Sequence, residues 1–503
     1  MTVKQMSSDS GNQPHQTEDF DVIIIGAGIS GIAAAYELSH QCPEKNFAVL
    51  EGMENFGGTW RWHIYPGVRS DSDLFTFGFR FKPWLGDPIA SGADILNYLG
   101  EAIEENDLAQ YIRYDHRVVA AAWDSAASKW TLDVQNAGEW RRYTCNFLWM
   151  CQGYYRHAEG YTPNWDGMDD FKGRIIHPQL WPEDLDYKDK KVVVIGSGAT
   201  AATLVPAMAG DCAHITMLQR SPTYFSPGLN ENKFANTLRE IDIDPQTIHE
   251  ILRKKLPFDQ YKFLQRTLND PERAKADLRK DLLEYLSPEE IDEHFTPSYR
   301  PWQQRIAVVP NGDLFVAMKE GAASVVTDHI DRFTQTGLQL RSGKHLDADI
   351  IVTATGFVMN VMGDVEFSVD DQPIDFSQTV HYRGMMFTGV PNMLWIAGYS
   401  RAASWTLKVD LVGDFCCRLL NHMEQKAVRK VEVALRPEDA DMELQPWADK
   451  DVFNPGYLQR ALAILPKGGD KEEWIQSQDY WREKDVLPSV DLDDPIFVYD
   501  RRD

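Results

Sequence analysis

Two stretches of the chain have the residue types and spacing of a phosphate-binding turn. DVIIIGAGISGIAAAYEL at 21–38 runs an apolar, β-branched strand into Gly26, Gly28 and Gly31, and then into a helical pattern. Glycines at those intervals permit a tight turn and close backbone approach to a pyrophosphate, which the helix N-terminus faces with unpaired N–H groups. NFAVLEGM then ends a second strand on Glu51. A carboxylate at that place accepts from ribose hydroxyls and repels a 2′-phosphate, so this loop suits FAD or NAD.

The second stretch, KVVVIGSGATAATLVPAM, carries Gly196, Gly198 and Ala201 in the same pattern. Its next strand, HITMLQRSPTY, ends in Gln219, Arg220 and Ser221 where an acid would stand for NAD. A guanidinium there can fork onto a 2′-phosphate with a hydroxyl beside it, which reads as NADPH. Two unlike dinucleotide sites in one chain suggest a flavoprotein that collects hydride from a pyridine nucleotide. The six cysteines are scattered without any C-x-x-C. That leaves neither a redox-active pair nor a zinc site, and no other metal site is expected. Molecular oxygen is then the obvious electron acceptor.

A third stretch, FKGRIIHPQLWP at 171–182, spaces Phe171, Gly173, His177, Trp181 and Pro182 in a way that fits neither a helix face nor a strand alternation. It matches in full the F-x-G-x-x-x-H-x-x-x-W-P fingerprint of Baeyer–Villiger monooxygenases. GGTWRWHIYPGVRSD at 57–71 matches their longer signature through Gly58, Trp60, Tyr65, Pro66, Gly67 and Asp71. The chain resembles that class B flavoprotein family from about residue 19 to about 465. It is most similar to the group of the mycobacterial ethionamide-activating monooxygenase and the alkane-associated flavin monooxygenases.

The resemblance implies an FAD- and NADPH-dependent enzyme in which a C4a-peroxyflavin attacks a ketone, most simply an aliphatic one, to give an ester or lactone. Sulfide oxygenation is implied as a side activity. Oxygenation of sulfur or nitrogen, or a part in subterminal alkane oxidation, is the alternative. By the same resemblance Arg305, in YRPWQQRIAVVPNGDLF, is the catalytic arginine, and Asp71 stands near it and the flavin. Gly58, Thr59, Trp60, Thr355, Gly356 and Trp405 fall in matching cofactor-binding stretches. His177 is implied to couple motion of the two domains rather than to act as acid or base. Several relatives carry Lys before the arginine, where this chain has Gln304, so NADPH preference rests more heavily on Arg220.

These residues need a frame that positions them. At 503 residues two or three domains are expected. The fold class is α/β, with FAD and NADP Rossmann-like domains. The expected order is a loose tail over 1–18, an FAD part over 19–155, an NADP domain over 156–379 and an FAD part over 380–503. Amphipathic patterns over 232–295 read as a helical insertion. In it Leu278, Leu282, Tyr285 and Leu286 share a face, and Ser287 to Glu290 form a helix start. A second stripe, Phe258, Tyr261, Leu264 and Leu268, reads as core-facing or as a greasy lid with weak membrane-surface contact. RAASWTLKVDLV begins a helix whose N-terminus would face the flavin.

No apolar run reaches the ~18 residues of a membrane span, and no secretory signal is visible, so a cytoplasmic protein is expected. A formal charge of −25 argues against nucleic acid or anionic lipid as a partner. A small apolar ketone or sulfide and O2 are the partners expected. Nothing in the sequence sets an oligomeric state.

Overall fold

The computed structural model describes residues 17–501. The tail expected over 1–18 lies outside the described residues except for its last two, and Glu18 already pairs with Tyr143 in a sheet. That sheet is built on Glu18–Ile25, which lies parallel to Phe47–Leu50 on one side and to Glu139–Met150 on the other. Val22 and Ile24 bury into one core and Ile23 and Ile25 into another. A strand buried on both faces has no use for polar alternation, hence the unbroken V-I-I-I.

The strand Glu139–Met150 does two jobs. Its first four residues are exposed, and its first half closes an antiparallel meander with Lys129–Asn136 and His116–Asp124. Its last four residues, FLWM, run buried beside Glu18–Ile25, and the last three of them also pair with Met393–Trp395. Glu366–Val369 also joins this sheet, beside His116–Asp124. The chain therefore rejoins the first sheet earlier than the boundary at 380 implies. The E-F-S-V strand is short, and only its Phe367 is buried, which leaves little periodicity to read.

The second sheet is parallel throughout, in the order Ala323–Thr327, His214–Gln219, Lys191–Ile195, Ile350–Thr353, Arg174–Ile176. The helices between its strands include a run of four, Lys233–Glu240, Pro245–Asn269, Pro271–Leu282 and Pro288–His294. Ser287 and Glu290 form the capping box the sequence indicates. Leu278, Leu282 and Leu286 are buried as their shared face requires. The second stripe is largely spent inside the protein: Phe258 and Tyr261 pack on Trp481, Leu264 is buried, and only Leu268 is exposed. Among the described residues no helix is long and apolar enough to cross a membrane.

The chain crosses between the two sheets at Tyr155–Gly160 and returns at Phe357–Met359. These two crossings pair with each other as an antiparallel ribbon.

Candidate functional site

Gly26 takes φ +100°, and a Cβ there would lie 2.7 Å from the Cys151 carbonyl oxygen. A Cβ on Gly31 would lie 1.8 Å from the Gly26 oxygen. Only glycine fits either place. Gly28 caps the helix Ile29–Gln41 with no side chain of its own, leaving the first-turn N–H groups open. The N-terminus of the short helix Thr59–Trp62 is tucked against this loop, with a Cβ on Gly58 reaching within 3.2 Å of the Gly28 Cα.

Around this loop lies a cavity of about 510 Å3 whose wall includes Gly26, Gly28, Glu51, Gly58, Thr59 and Trp60. Asp71, Arg305 and Trp405 also reach it. Glu51 is buried and accepts from Ala27 N–H at 2.6 Å and Met53 N–H at 2.9 Å. Burial raises its pKa, and those backbone donors oppose the rise. Gln152, on the same wall, has a buried side-chain amide with neither its oxygen nor its nitrogen bonded. A glycine cradle with open amides, a carboxylate beside it and an unspent amide edge fit a flavin dinucleotide.

Asp71 and Arg305 are brought together across 234 positions of sequence, Nη2 to Oδ2 at 2.6 Å. Arg305 Nη1 also donates to Ser400 O at 2.8 Å. Burial works against the guanidinium, but Asp71 and the phenols of Tyr457 and Tyr154 more than offset it, and its pKa stands above the ordinary arginine value. It is a permanent charge held at two points. Trp405, the first residue of the helix Trp405–Gln425, donates from Nε1 to Ser30 Oγ at 2.9 Å and stacks on Tyr154 at 5.0 Å.

The segment 57–71 links this cavity to the second sheet. Thr59 Oγ1 accepts from Tyr155 OH at the start of the crossing strand. Further on, a Cβ on Gly67 would lie 2.5 Å from Ala207 Cβ, on the helix Ala199–Ala209 that follows the second glycine loop. Arg69 forms an ion pair with Asp313.

The second loop repeats the first in backbone only. Gly196 takes φ +134°, with the Ala354 carbonyl oxygen 2.3 Å from where a Cβ would lie. Gly198 has nothing within 4 Å of such a Cβ, and Ala201 is buried. Gln219 turns inward and donates to His294 O and Thr327 Oγ1. Arg220 and Ser221 are left exposed at the strand end, and Arg220 makes no hydrogen bond or ion pair among the described residues. None of these second-loop residues lines the first cavity.

Thr355 and Gly356 do not line it either. They stand at the crossing ribbon, where Gly356 O accepts from His177 Nε2 at 2.9 Å and Thr355 Oγ1 donates to Tyr161 O. His177 sits at the end of the edge strand Arg174–Ile176, its ring in the space a side chain on Gly160 would fill. Its Nδ1 accepts from Gln179 N–H at 3.2 Å, so both nitrogens are used by a neutral ring, and burial lowers its pKa. Gln179, which sequence reasoning missed, donates from its buried amide to Arg156 O, His157 O and Glu159 O at 2.5 to 3.0 Å. The remaining fingerprint residues serve packing. Phe171 and Trp181 are buried, and a Cβ on Gly173 would meet Asp349 O at 2.1 Å.

The profile of the flavin-binding monooxygenase-like family matches residues 89–372, and that of an NAD(P)-binding Rossmann-like domain matches 24–83. The FAD-containing monooxygenase EthA of Mycobacterium tuberculosis is 45% identical over 491 residues, covering 97% of this chain and 99% of that protein. The chain belongs to the flavin-binding monooxygenase family. The probable FAD-binding monooxygenase AlmA of Acinetobacter baylyi is 43% identical over 498 residues, 96% of each chain. Among solved structures, an oxidized steroid monooxygenase bound to NADP superposes with a TM-score of 0.75 at 20% identity, over 96% of this chain and 100% of that one. Cyclohexanone monooxygenase bound to epsilon-caprolactone gives 0.74 at 20%, over the same shares. At that identity the solved structures speak for the fold. Membership bears out the expected α/β class, the monooxygenase activity and the flavin and NAD(P) cofactors.

Proposed function

We propose that this flavin monooxygenase is of Baeyer–Villiger type, using FAD and NADPH to insert one atom of O2 beside the carbonyl of aliphatic ketones, giving esters or lactones, with sulfide oxygenation as a side activity. The observation that carries the reading is the Arg305–Asp71 pair on the wall of the first cavity. Bound FAD, with NADPH as reductant, would supply the activated oxygen. Gly26, Gly28 and the helix N-terminus after them would hold its pyrophosphate, Glu51 its ribose, and Gln152 a polar edge. Gly196, Gly198 and Ala201 would receive NADPH, with Arg220 and Ser221 to meet its 2′-phosphate.

A ketone carbonyl is attacked by an oxygen nucleophile, which must be anionic. A guanidinium favours that anion over its protonated form without itself titrating. Asp71 fixes the plane of Arg305, and Ser400 O fixes its second edge. The test is product analysis of the FAD-loaded enzyme with NADPH, air and a panel of methyl ketones, cyclic ketones and sulfides. Esters or lactones in step with NADPH use are expected, and Arg305→Ala should consume NADPH while releasing hydrogen peroxide instead. Sulfoxides as the sole products would defeat the ketone reading.

A further inference from the structure

A second cavity, of about 880 Å3, shares the wall residues Tyr154, Ser400 and Trp405 with the first. Trp395, Trp447 and Trp474 add apolar wall, and Leu268 and Ile475 line it while standing partly in solvent. Into this surface the protein sets one buried charge. Arg401 is 6% exposed, and its Nε and Nη2 have no partner. It forms no ion pair among the described residues. The two charges nearest in effect are Arg300, which opposes it, and Asp479, which supports it. Asp479 is engaged in capping the helix Tyr480–Val486 through Arg482 N–H. Asp449 and Asp470 line the same cavity but are exposed, where water screens them.

A guanidinium buried without a partner is costly, and an anion that pairs with it offsets the cost. We propose that this cavity binds an amphipathic monocarboxylate, its carboxylate forked on Arg401 and its apolar chain along the tryptophans. Resting on the ketone reading above, this makes the substrate class oxo fatty acids rather than plain ketones. The geometry suits it, because Ser400, the neighbour of Arg401, is the residue whose carbonyl holds Arg305. The head group is thus anchored one residue from the contact that fixes the reactive arginine. The coenzyme's phosphates are the competing anion, but no residue of the second glycine loop lines this cavity.

The wall tryptophans report on occupancy, so fluorescence titration of the FAD-loaded enzyme with decanoate and with decanol tests the proposal. Decanoate is expected to bind roughly 10- to 100-fold tighter. Arg401→Met should abolish the difference, and Arg401→Lys should keep part of it, which a general loss of packing would not. Equal affinities in the unaltered enzyme overturn the proposal, as does a preference that survives Arg401→Met. Loss of NADP+ affinity in Arg401→Met, with decanoate binding intact, would assign the guanidinium to the coenzyme and also overturn it. Turnover is read separately, with an oxo fatty acid beside a plain ketone of equal length. If neither is oxygenated the ketone reading fails, while the decanoate titration still decides Arg401.

Discussion

Gly26 and Gly196 hold the same left-handed backbone, each with a carbonyl from a neighbouring strand end pressed against it, that of Cys151 for one and Ala354 for the other. Beyond that the two loops part. The first is walled in: Gly58 abuts Gly28, and Glu51 is buried under backbone donors. Around the second, Gly198 faces open space and Arg220 stands exposed and unpaired among the described residues. A group seated on the first loop would have to pass packed walls to leave, whereas one on the second can come and go. On the function proposed above, the same turn would serve a resident cofactor at one loop and an exchanging one at the other, and the difference lies in what surrounds it.

Substitutions that treat the two loops alike should therefore have unlike effects. The largest is expected at Gly26→Ala, where a non-glycine residue at positive φ costs on the order of 1–3 kcal/mol before the clash with Cys151 is counted. Protein purified from that variant should lack flavin absorbance, and a yellow, stable variant would contradict the packed picture. Next comes Arg220→Ala. Losing a charge-assisted contact worth roughly 1.5–3 kcal/mol should lower kcat/KM for NADPH about 10- to 150-fold, with NADH and flavin content little changed. An unaltered NADPH/NADH ratio would remove Arg220 from the site.

A smaller effect is expected at the ribbon between the loops. The His177 pKa is lowered from 6.5 in the fold, so the stability it contributes is present above that pH and is lost as pH falls through the lowered value. Thermal unfolding of His177→Ala should depend less on acid pH than that of the unaltered protein, with bound FAD retained at neutral pH. Parallel pH curves for the two proteins would show that His177 is no part of the response. The smallest effect belongs to Gly198→Ala, which has room for its methyl group. It should fold and hold FAD normally, and any change should be confined to KM for NADPH.

Much of this was legible because it is local. The glycine spacings, Glu51 at a strand end and the Ser287–Glu290 cap are set by residues within a turn or a strand of one another. Asp71 and Arg305 were paired only through resemblance, since nothing local joins positions so far apart. Gln179 was invisible for a related reason. Its three acceptors are backbone carbonyls, which carry no residue identity. Arg401 reads in sequence as one more loop arginine, and its burial follows from a C-terminal segment with weak periodicity folding over it. The fingerprint's irregular spacing also has a physical source: one short stretch is in turn core, edge strand, a hydrogen bond to the crossing ribbon, and core again.

The strand Glu139–Met150 has a consequence for how the molecule is made. Its neighbours Glu18–Ile25 and Lys129–Asn136 are synthesised before it, but Met393–Trp395 emerges only after the whole of the second sheet. The second sheet draws its strands from Arg174 to Thr353 and is complete by then. On the ribosome the inserted unit can therefore close first, while the surrounding one waits with an open edge for its last strands. That edge is the Leu148–Met150 end, whose side chains are apolar and fully buried in the finished fold, so the interval before residue 395 leaves an apolar strand edge open to aggregation.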